Sequence, residues 1–433
     1  MTDLAGRVVG IWGLGKEGLS MARTAAAHGA QRIVAVDDRA TELPATDIPG
    51  MTAHFGPDAV HLLRDVDIVF VSPGVPWRHP VFEELRRGGP QVSSAADWFL
   101  SAHGGRTIGV TGTKGKSTTA AFLAHLLTSL GASAVVAGNI GTPLSDLSGS
   151  DLDAEPGRWV VAELSSQQCA LLSTSPAVAV ITNLYQDHLD FHGDVPNYYA
   201  AKAHIFDHGA RALITTPEVV AALDGIGITA LPPVLRLVDP ATARAPGSGG
   251  VMCYPHNVAN AALAAHAAAE VLGRPVTDAE LDAAAATFAG LPHRLQTVRT
   301  TGPTRWIDDT LATTGESVVA ALRALPAGEH VALIVGGMDR RLDYRPLDDY
   351  LCSGQRRVTL IQGPSNGALI GARFARSHPD RTHPVQTLEQ AVRLAAGLPG
   401  VDVVLLSPGA ASYDIYRNYE AKAAAFCGYI DTL

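Results

Sequence analysis

Short β-branched runs alternate along this chain with alanine-rich stretches of helical length, as at Arg7 to Ile11, Arg32 to Val36, Ile68 to Val71, Trp159 to Ala162 and Val178 to Thr182. A strand covered on both faces reads as an unbroken apolar run, and the helix between two such runs supplies the crossover that parallel pairing needs. The pattern predicts an α/β protein built from parallel sheets covered by helices. Towards the C-terminus, Trp306 to Asp309, Val331 to Val335, Val358 to Gln362 and Val403 to Leu406 read as strands, with helices after Glu316, Asn366, Leu388 and Tyr413. Polar, Gly/Pro-containing junctions near Ser101 to Arg106 and near Val298 to Thr304 divide the pattern into three cycles. The expected domains are therefore residues 1–100, 101–297 and 298–433.

Composition narrows the class without changing this picture. A chain of 433 residues with 47% hydrophobic content has length for several buried cores, and a net charge of -9 without basic clusters gives no footprint for nucleic acid or an anionic membrane surface. Cys169, Cys253, Cys352 and Cys427 are far apart, which excludes a CxxC metal knuckle and fits thiols in a reducing compartment. The N-terminal MTDLAGRVVGIWGLG reads as a first strand rather than a leader, so a cytoplasmic location is expected. Ala120 to Ser145 lacks Asp, Glu, Lys and Arg, but Gly131, Gly138, Asn139, Gly141 and Pro143 interrupt it, and no membrane span is expected.

The chemistry concentrates at strand ends. GTKGKST, Gly112 to Thr118, joins the apolar run Thr107 to Val110 to the helix-like run Ser117 to Leu130. Glycines admit an anion to the backbone N–H groups, a helix N-terminus adds its dipole, Lys116 reaches outer phosphates and Ser117 offers a hydroxyl to Mg²⁺. Val110 stands where the generic phosphate loop has its first glycine, leaving the shorter GxxGKS. GLGKEG, Gly13 to Gly18, follows the first strand, with Asp37 and Asp38 after the next, a fingerprint that serves NAD, FAD or the diphosphate of a nucleotide sugar equally. SPGVP, Ser72 to Pro76, is a second glycine loop after a strand. Glu163 ends another strand and is either a metal ligand or a solvated carboxylate. The loop Thr182 to Asp194 gathers Asn183, Asp187, His188, Asp190 and His192, with His188 either a ligand for a second metal or a structural histidine. Lys202 follows on a helix, either solvated or near those metals. Asn257 and Asn260 share a helix face, where Asn257 is either a helix cap or, like Asn260, a nucleotide or phosphate-loop contact. His293 and Arg294 precede the second junction.

GTKGKST, GNIGTPL, ELSSQQ, TNLYQDHLDFHG, YYAAKAHIF, HNVANA, LPHRLQ and LLSPGAASYD occur in the order seen in the Mur ligases, and the chain resembles that family over nearly its whole length, with folylpolyglutamate synthetases as distant relatives. Its likeness is to the glutamate-adding branch. The resemblance implies an N-terminal Rossmann-like UDP-substrate domain, a central phosphate-loop ATPase-like domain and a C-terminal doubly wound α/β amino-acid domain. It also implies ATP and Mg²⁺ as cofactors, with UDP-N-acetylmuramoyl-L-alanine and glutamate joined through an acyl phosphate. By position, Gly112, Thr113, Lys114, Gly115, Lys116, Ser117, Thr118, Asn257, Asn260, Arg294 and Asp309 resemble the ATP contacts, with Lys116, His188 and Lys202 as catalytic groups. Ser117 and Glu163 resemble one metal site, and His188 with a carbamylated Lys202 the other. Gly13, Leu14, Gly15, Asp38, Arg39, Ser72, Gly74 and Asn139 resemble the UDP-substrate contacts, and Thr313, Arg340, Arg341, Ser407 and Tyr413 the glutamate contacts.

The departures lie at the amino-acid end. DTLATT, Asp309 to Thr314, has Leu311 where the D-glutamate enzymes carry a lysine, GGMDRRLDY has Arg340 and Arg341 where a lysine is usual, and YDIYRNYEAKAAAF replaces the usual ending with its arginine and glycine. These differences favour L-glutamate over D-glutamate, and with it a separate epimerase acting later on the product; a monomer is expected.

Overall fold

The computed structural model describes residues 3–42, 46–76, 79–147, 152, 154–247 and 250–433. They form two compact units, Met1–Cys253 with Asn257–Phe288, and Tyr254–His256 with Ala289–Leu433. The first unit holds two sheets. One has the strand order Met51–Phe55, Arg32–Asp37, Val8–Trp12, Ile68–Val71, Gln91–Ser93, all parallel. The other runs Val234–Leu237, Ala212–Thr215, Val178–Ile181, Thr107–Thr111, Trp159–Glu163, Ala134–Gly138, again all parallel.

The unbroken apolar runs have a physical explanation in this second sheet. Along Trp159–Glu163, Val161 packs into a core with Ile108, Phe122 and Leu126 on one face, while Val160 and Ala162 pack with Leu164, Ile181 and Ile205 on the other. A strand with helices over both faces has no polar side to show.

Segments flanking the two sheets of this unit meet through polar contacts as well as through Phe99 and Leu100, which pack into the central core. Ser20 Oγ lies 2.5 Å from both Ser145 Oγ and Asp146 Oδ1, Thr24 donates to the Ser145 carbonyl, and buried Asp97 accepts from the Ser173 N–H at 2.7 Å.

The second unit carries a mixed sheet, ordered Gln296–Thr301, Thr304–Asp308, Val403–Leu406, Val331–Val335, Val358–Gln362, Thr382–Pro384. Only its first pair is antiparallel. One expectation is corrected here. The supposed junction at Val298 to Thr304 is part of that antiparallel hairpin: the Thr-rich run is an exposed edge strand whose polarity mimics a linker. After Asn366 the chain forms a 3₁₀ turn, Gly367–Leu369, before the helix Ala372–Ser377. The helix expected after Tyr413 is Tyr419–Ile430; Asn418 caps it by accepting from the Ala421 N–H at 2.9 Å.

Candidate active site

The phosphate loop leaves the central strand Thr107–Thr111 and enters the helix Lys116–Ser129. Gly112 and Gly115 take φ of 144° and 83°, and a Cβ on Gly115 would stand 2.6 Å from Asn260 Oδ1, so both positions need glycine. Neighbouring strand ends hold the loop in place. Thr182 Oγ1 donates to the Lys114 carbonyl at 2.6 Å and Asn183 Nδ2 to the same oxygen at 3.0 Å, while the Thr113 N–H and Lys114 N–H donate to the carbonyl and side chain of Asn183. Thr113 is buried, its hydroxyl bonded to the Tyr198 hydroxyl and the Tyr185 backbone, which makes that side chain a strut of the loop. Ser117 and Thr118 sit in the first helical turn, where N–H groups have no intrahelical acceptor. Lys116 Nζ lies 3.1 Å from the Thr113 carbonyl, and Lys114 pairs with Asp187 at 3.8 Å.

Beside the loop are two buried ionisable groups. Glu163 is 1% exposed; Oε1 accepts from Asn139 Nδ2 at 3.0 Å, and Oε2 is buried with no hydrogen-bond partner among the described residues. A buried carboxylate oxygen left unpaired at the end of a strand next to a phosphate loop fits a cation ligand. Asn139, expected at the substrate, is placed on this carboxylate. Lys202 is also 1% exposed, on the helix Val195–Asp207, and Nζ donates to the Gly112 carbonyl at 2.8 Å and Thr111 Oγ1 at 3.3 Å. Burial lowers its pKa from 10.5 to about 7, with the nearby Lys116 charge adding to the shift, while Cys169, Asp187 and Glu163 oppose it. The solvated reading of Lys202 is thereby excluded.

The histidine-rich loop divides into separate roles. His188 has left-handed backbone, φ 49°, with a half-exposed ring 4.0 Å from Asp187 Oδ2. His192 is buried and its Nε2 bonds to Ser166 Oγ at 2.9 Å, a structural role. Asn257 lies inside the helix Pro255–Leu272, donating to the Val251 carbonyl, and accepts from Asn260 Nδ2 at 3.0 Å, so it is not a cap. This pair sets Asn260 against Gly115.

In the first sheet, Gly13, Gly15, Asp38, Arg39, Ser72 and Gly74 line one cavity of about 550 Å³, as expected for a ligand crevice at strand ends. Leu14 is buried beneath it, its N–H given to Asp37 Oδ2. Burial pushes the Asp37 carboxyl up, but N–H donors from Leu14, Ala40 and Arg39 hold it below the usual range, so Asp37 shapes the loop. Lys16, within the Gly13 to Gly18 run that resembles the UDP end, lines the cavity and donates to the Gly141 carbonyl at 2.6 Å; reading the sequence gave no role to Gln168, which donates to Glu17 at 2.7 Å.

The second unit brings Arg294, Asp309 and Ser407 together. Asp309 is buried; Oδ2 accepts from Ser407 Oγ at 2.7 Å and Oδ1 from the Leu295 N–H at 3.2 Å. Burial raises its carboxyl to about 7 against those two hydrogen bonds. Ser407, expected at the amino acid, is fully buried and spent on Asp309. Exposed Arg294 sits between His293 and Leu295, both with positive φ, 63° and 46°, a conformation a leucine rarely adopts. Arg340, Arg341 and Tyr413 are exposed, and Thr313 is half-buried. Lys422 escaped notice: it is buried, donates to the Gly336 carbonyl at 2.6 Å, and burial lowers its pKa to about 8.

A glycine loop strapped between strand ends stands beside a buried carboxylate with an open oxygen and a buried lysine whose pKa burial lowers, an arrangement that fits an anionic nucleotide. Family models agree with it: residues 7–94 match the Mur ligase MurD-like N-terminal domain, 110–217 the Mur ligase middle domain and 293–409 the Mur ligase glutamate ligase domain. The chain belongs to the Mur ligase family. Among curated relatives it is 39% identical to the UDP-N-acetylmuramoyl-L-alanine--L-glutamate ligase of Micromonospora sp., covering 98% of this chain and 97% of that one. It is 38% identical to the protein of that name from Salinispora tropica, with 98% of each chain covered. It is 36% identical to the UDP-N-acetylmuramoylalanine--D-glutamate ligase of Anaeromyxobacter dehalogenans, over 98% of this chain and 97% of the other. Among solved structures, the MurF ligase of Thermotoga maritima in complex with ADP shares the fold, with a TM-score of 0.59 at 18% identity over 99% of this chain and 96% of that one.

Proposed function

We propose that this protein is an ATP-dependent ligase that joins glutamate to the alanine carboxylate of UDP-N-acetylmuramoyl-L-alanine in peptidoglycan precursor synthesis. The observation that carries the reading is the grouping of the Gly112 to Thr118 loop with the open oxygen of Glu163 and the buried Lys202. A carboxylate is a poor electrophile until one oxygen becomes a leaving group. The alanine carboxylate oxygen attacks the γ-phosphorus and ADP leaves; the glutamate amine attacks the acyl phosphate, loses a proton, and inorganic phosphate leaves.

Ser117 and Glu163 would hold one Mg²⁺, and His188 with Lys202 the other. Bound there, Mg²⁺ supplies positive charge that lets anionic ATP meet an anionic acid. Lys116 contacts the outer phosphates, and the loop N–H groups orient them. Neutral Lys202 is the form that takes up CO₂ as a carbamate, and a pKa near 7 makes that form abundant at neutral pH. The first-sheet cavity takes the UDP end, and Arg294 and Asp309 are assigned to the nucleotide.

Leu311, Arg340 and Arg341 favour L-glutamate as the acceptor, as do the names of the two 38–39% identical relatives. The same reading places the enzyme in the cytoplasm as a monomer, with an epimerase acting on its product. Phosphate release with UDP-N-acetylmuramoyl-L-alanine, ATP and each glutamate enantiomer tests it. Release with L-glutamate alone is expected; release with D-glutamate alone overturns the stereochemical assignment, and release with neither overturns the reaction.

A further inference from the structure

The C-terminal end of the Lys202 helix carries a second cluster of metal-ligating side chains that the ligase reading does not use. His204, Asp207 and His208 offer one ligand atom each, all within 4.8 Å of one another. Residues four apart on a helix stack on one face, and the third lies beside them. The two imidazole rings already lie 5.4 Å apart between centroids, and His208 Nε2 is 3.3 Å from Asp207 Oδ1.

Two further observations point to a ligand. Nδ1 of His204 is buried and has no hydrogen-bond partner among the described residues, and such a ring nitrogen is costly to leave unpaired. His208 is the residue that ends the helix Val195–Asp207, and a helix C-terminus presents carbonyl oxygens and the negative end of the dipole, which favour a cation. The backbone there is also fixed, since the His208 N–H donates to Ser175 Oγ at 3.0 Å.

We infer that His204, Asp207 and His208 form a binding site for a borderline transition-metal cation of the Zn²⁺ class, separate from the magnesium chemistry of the phosphate loop. Two imidazoles and one carboxylate are the donor set that Zn²⁺ prefers, while Mg²⁺ selects oxygen ligands. Ligand atoms in a tetrahedral zinc site are roughly 3.3 Å apart, so the observed cluster closes by side-chain rotation without moving the backbone. Lys202 and His204 lie about 200° apart around the helix, so an occupant of this site clamps the last turn without entering the phosphate loop.

The test uses the full chain, stripped of metal with a chelator and held in excess Mg²⁺, titrated with Co²⁺ and followed by its visible absorption. One Co²⁺ per chain, displaced by Zn²⁺, is expected, with affinity at least about tenfold weaker in His208→Asn and binding abolished in the His204→Asn/His208→Asn variant. Zn²⁺ is also expected to raise the thermal midpoint of the unsubstituted chain and not that of the double variant. Glu163→Gln, which alters the phosphate-loop site, is expected to keep the signal. Absence of a Co²⁺ spectrum, an affinity unchanged in His208→Asn, or a spectrum that disappears in Glu163→Gln overturns the assignment. His208 is at the surface, so its single variant remains informative if the double variant does not fold.

Discussion

Replacing Lys202 by methionine is expected to make the protein more stable at neutral pH while abolishing its activity. Lys202 is 1% exposed and its pKa is about 7 in the fold against an ordinary 10.5. The unfolded chain therefore binds more protons than the folded one between those values, and stability rises with pH across that window. At pH 7 the mismatch opposes folding by roughly 4 kcal/mol, and at pH 9.5 by only roughly 1 kcal/mol. Methionine removes this penalty but forfeits two hydrogen bonds, to the Gly112 carbonyl and Thr111 Oγ1, each worth about 1 kcal/mol. The net expectation is a gain of about 2 kcal/mol at pH 7 that vanishes by pH 9.5. Urea unfolding followed by far-UV circular dichroism, in CO₂-free buffer at both pH values, measures it; CO₂ must be excluded because a carbamate would change the charge at Nζ. A variant that is less stable than the parent at pH 7, or a difference that does not shrink as pH rises, would refute the burial account. Full phosphate release by the variant would remove Lys202 from the metal site.

Other outcomes follow from the same geometry. Gly115→Ala forces a Cβ onto Asn260 at a φ of 83°, a left-handed strain of about 1–2 kcal/mol, and is expected to raise the KM for ATP while leaving the fold intact by circular dichroism. Asp309 has a raised carboxyl pKa of about 7, so its contribution to stability is present below pH 3.8 and lost as pH rises through 7; Asp309→Asn is expected to remove that slope from a series of denaturation midpoints. If Asp309 accepts a hydrogen bond from the nucleotide as a carboxylate, kcat/KM for ATP falls below pH 7 in the parent and not in Asp309→Asn. Arg340→Ala is expected to raise the KM for glutamate by about 10- to 100-fold, the value of one charge-assisted hydrogen bond, with the KM for ATP unchanged; an unaltered glutamate KM would move the carboxylate contact elsewhere.

The α/β class, three strands of the central sheet at Thr107 to Val110, Trp159 to Ala162 and Val178 to Thr182, the phosphate loop and the family are readable from the sequence alone. Apolar runs of strand length and glycines at strand ends are local signals, set by backbone sterics and by which faces are buried. Glu163 and Lys202 were legible as candidates because each falls at a fixed step from a readable element. Their state was not: the open oxygen of Glu163 depends on Asn139 reaching its other oxygen, and the depressed pKa of Lys202 on desolvation by strands far away in the chain. The hairpin at Gln296–Thr301 was hidden because an exposed edge strand has the polarity of a linker. By resemblance Ser407 is expected at the amino acid, yet folding turns its hydroxyl onto Asp309. His204, Asp207 and His208 stand within five residues of one another, but only the structure brings their donor atoms together beside an unpaired ring nitrogen. Position along an element is written locally; burial, partner and charge state belong to whatever the rest of the chain packs against it.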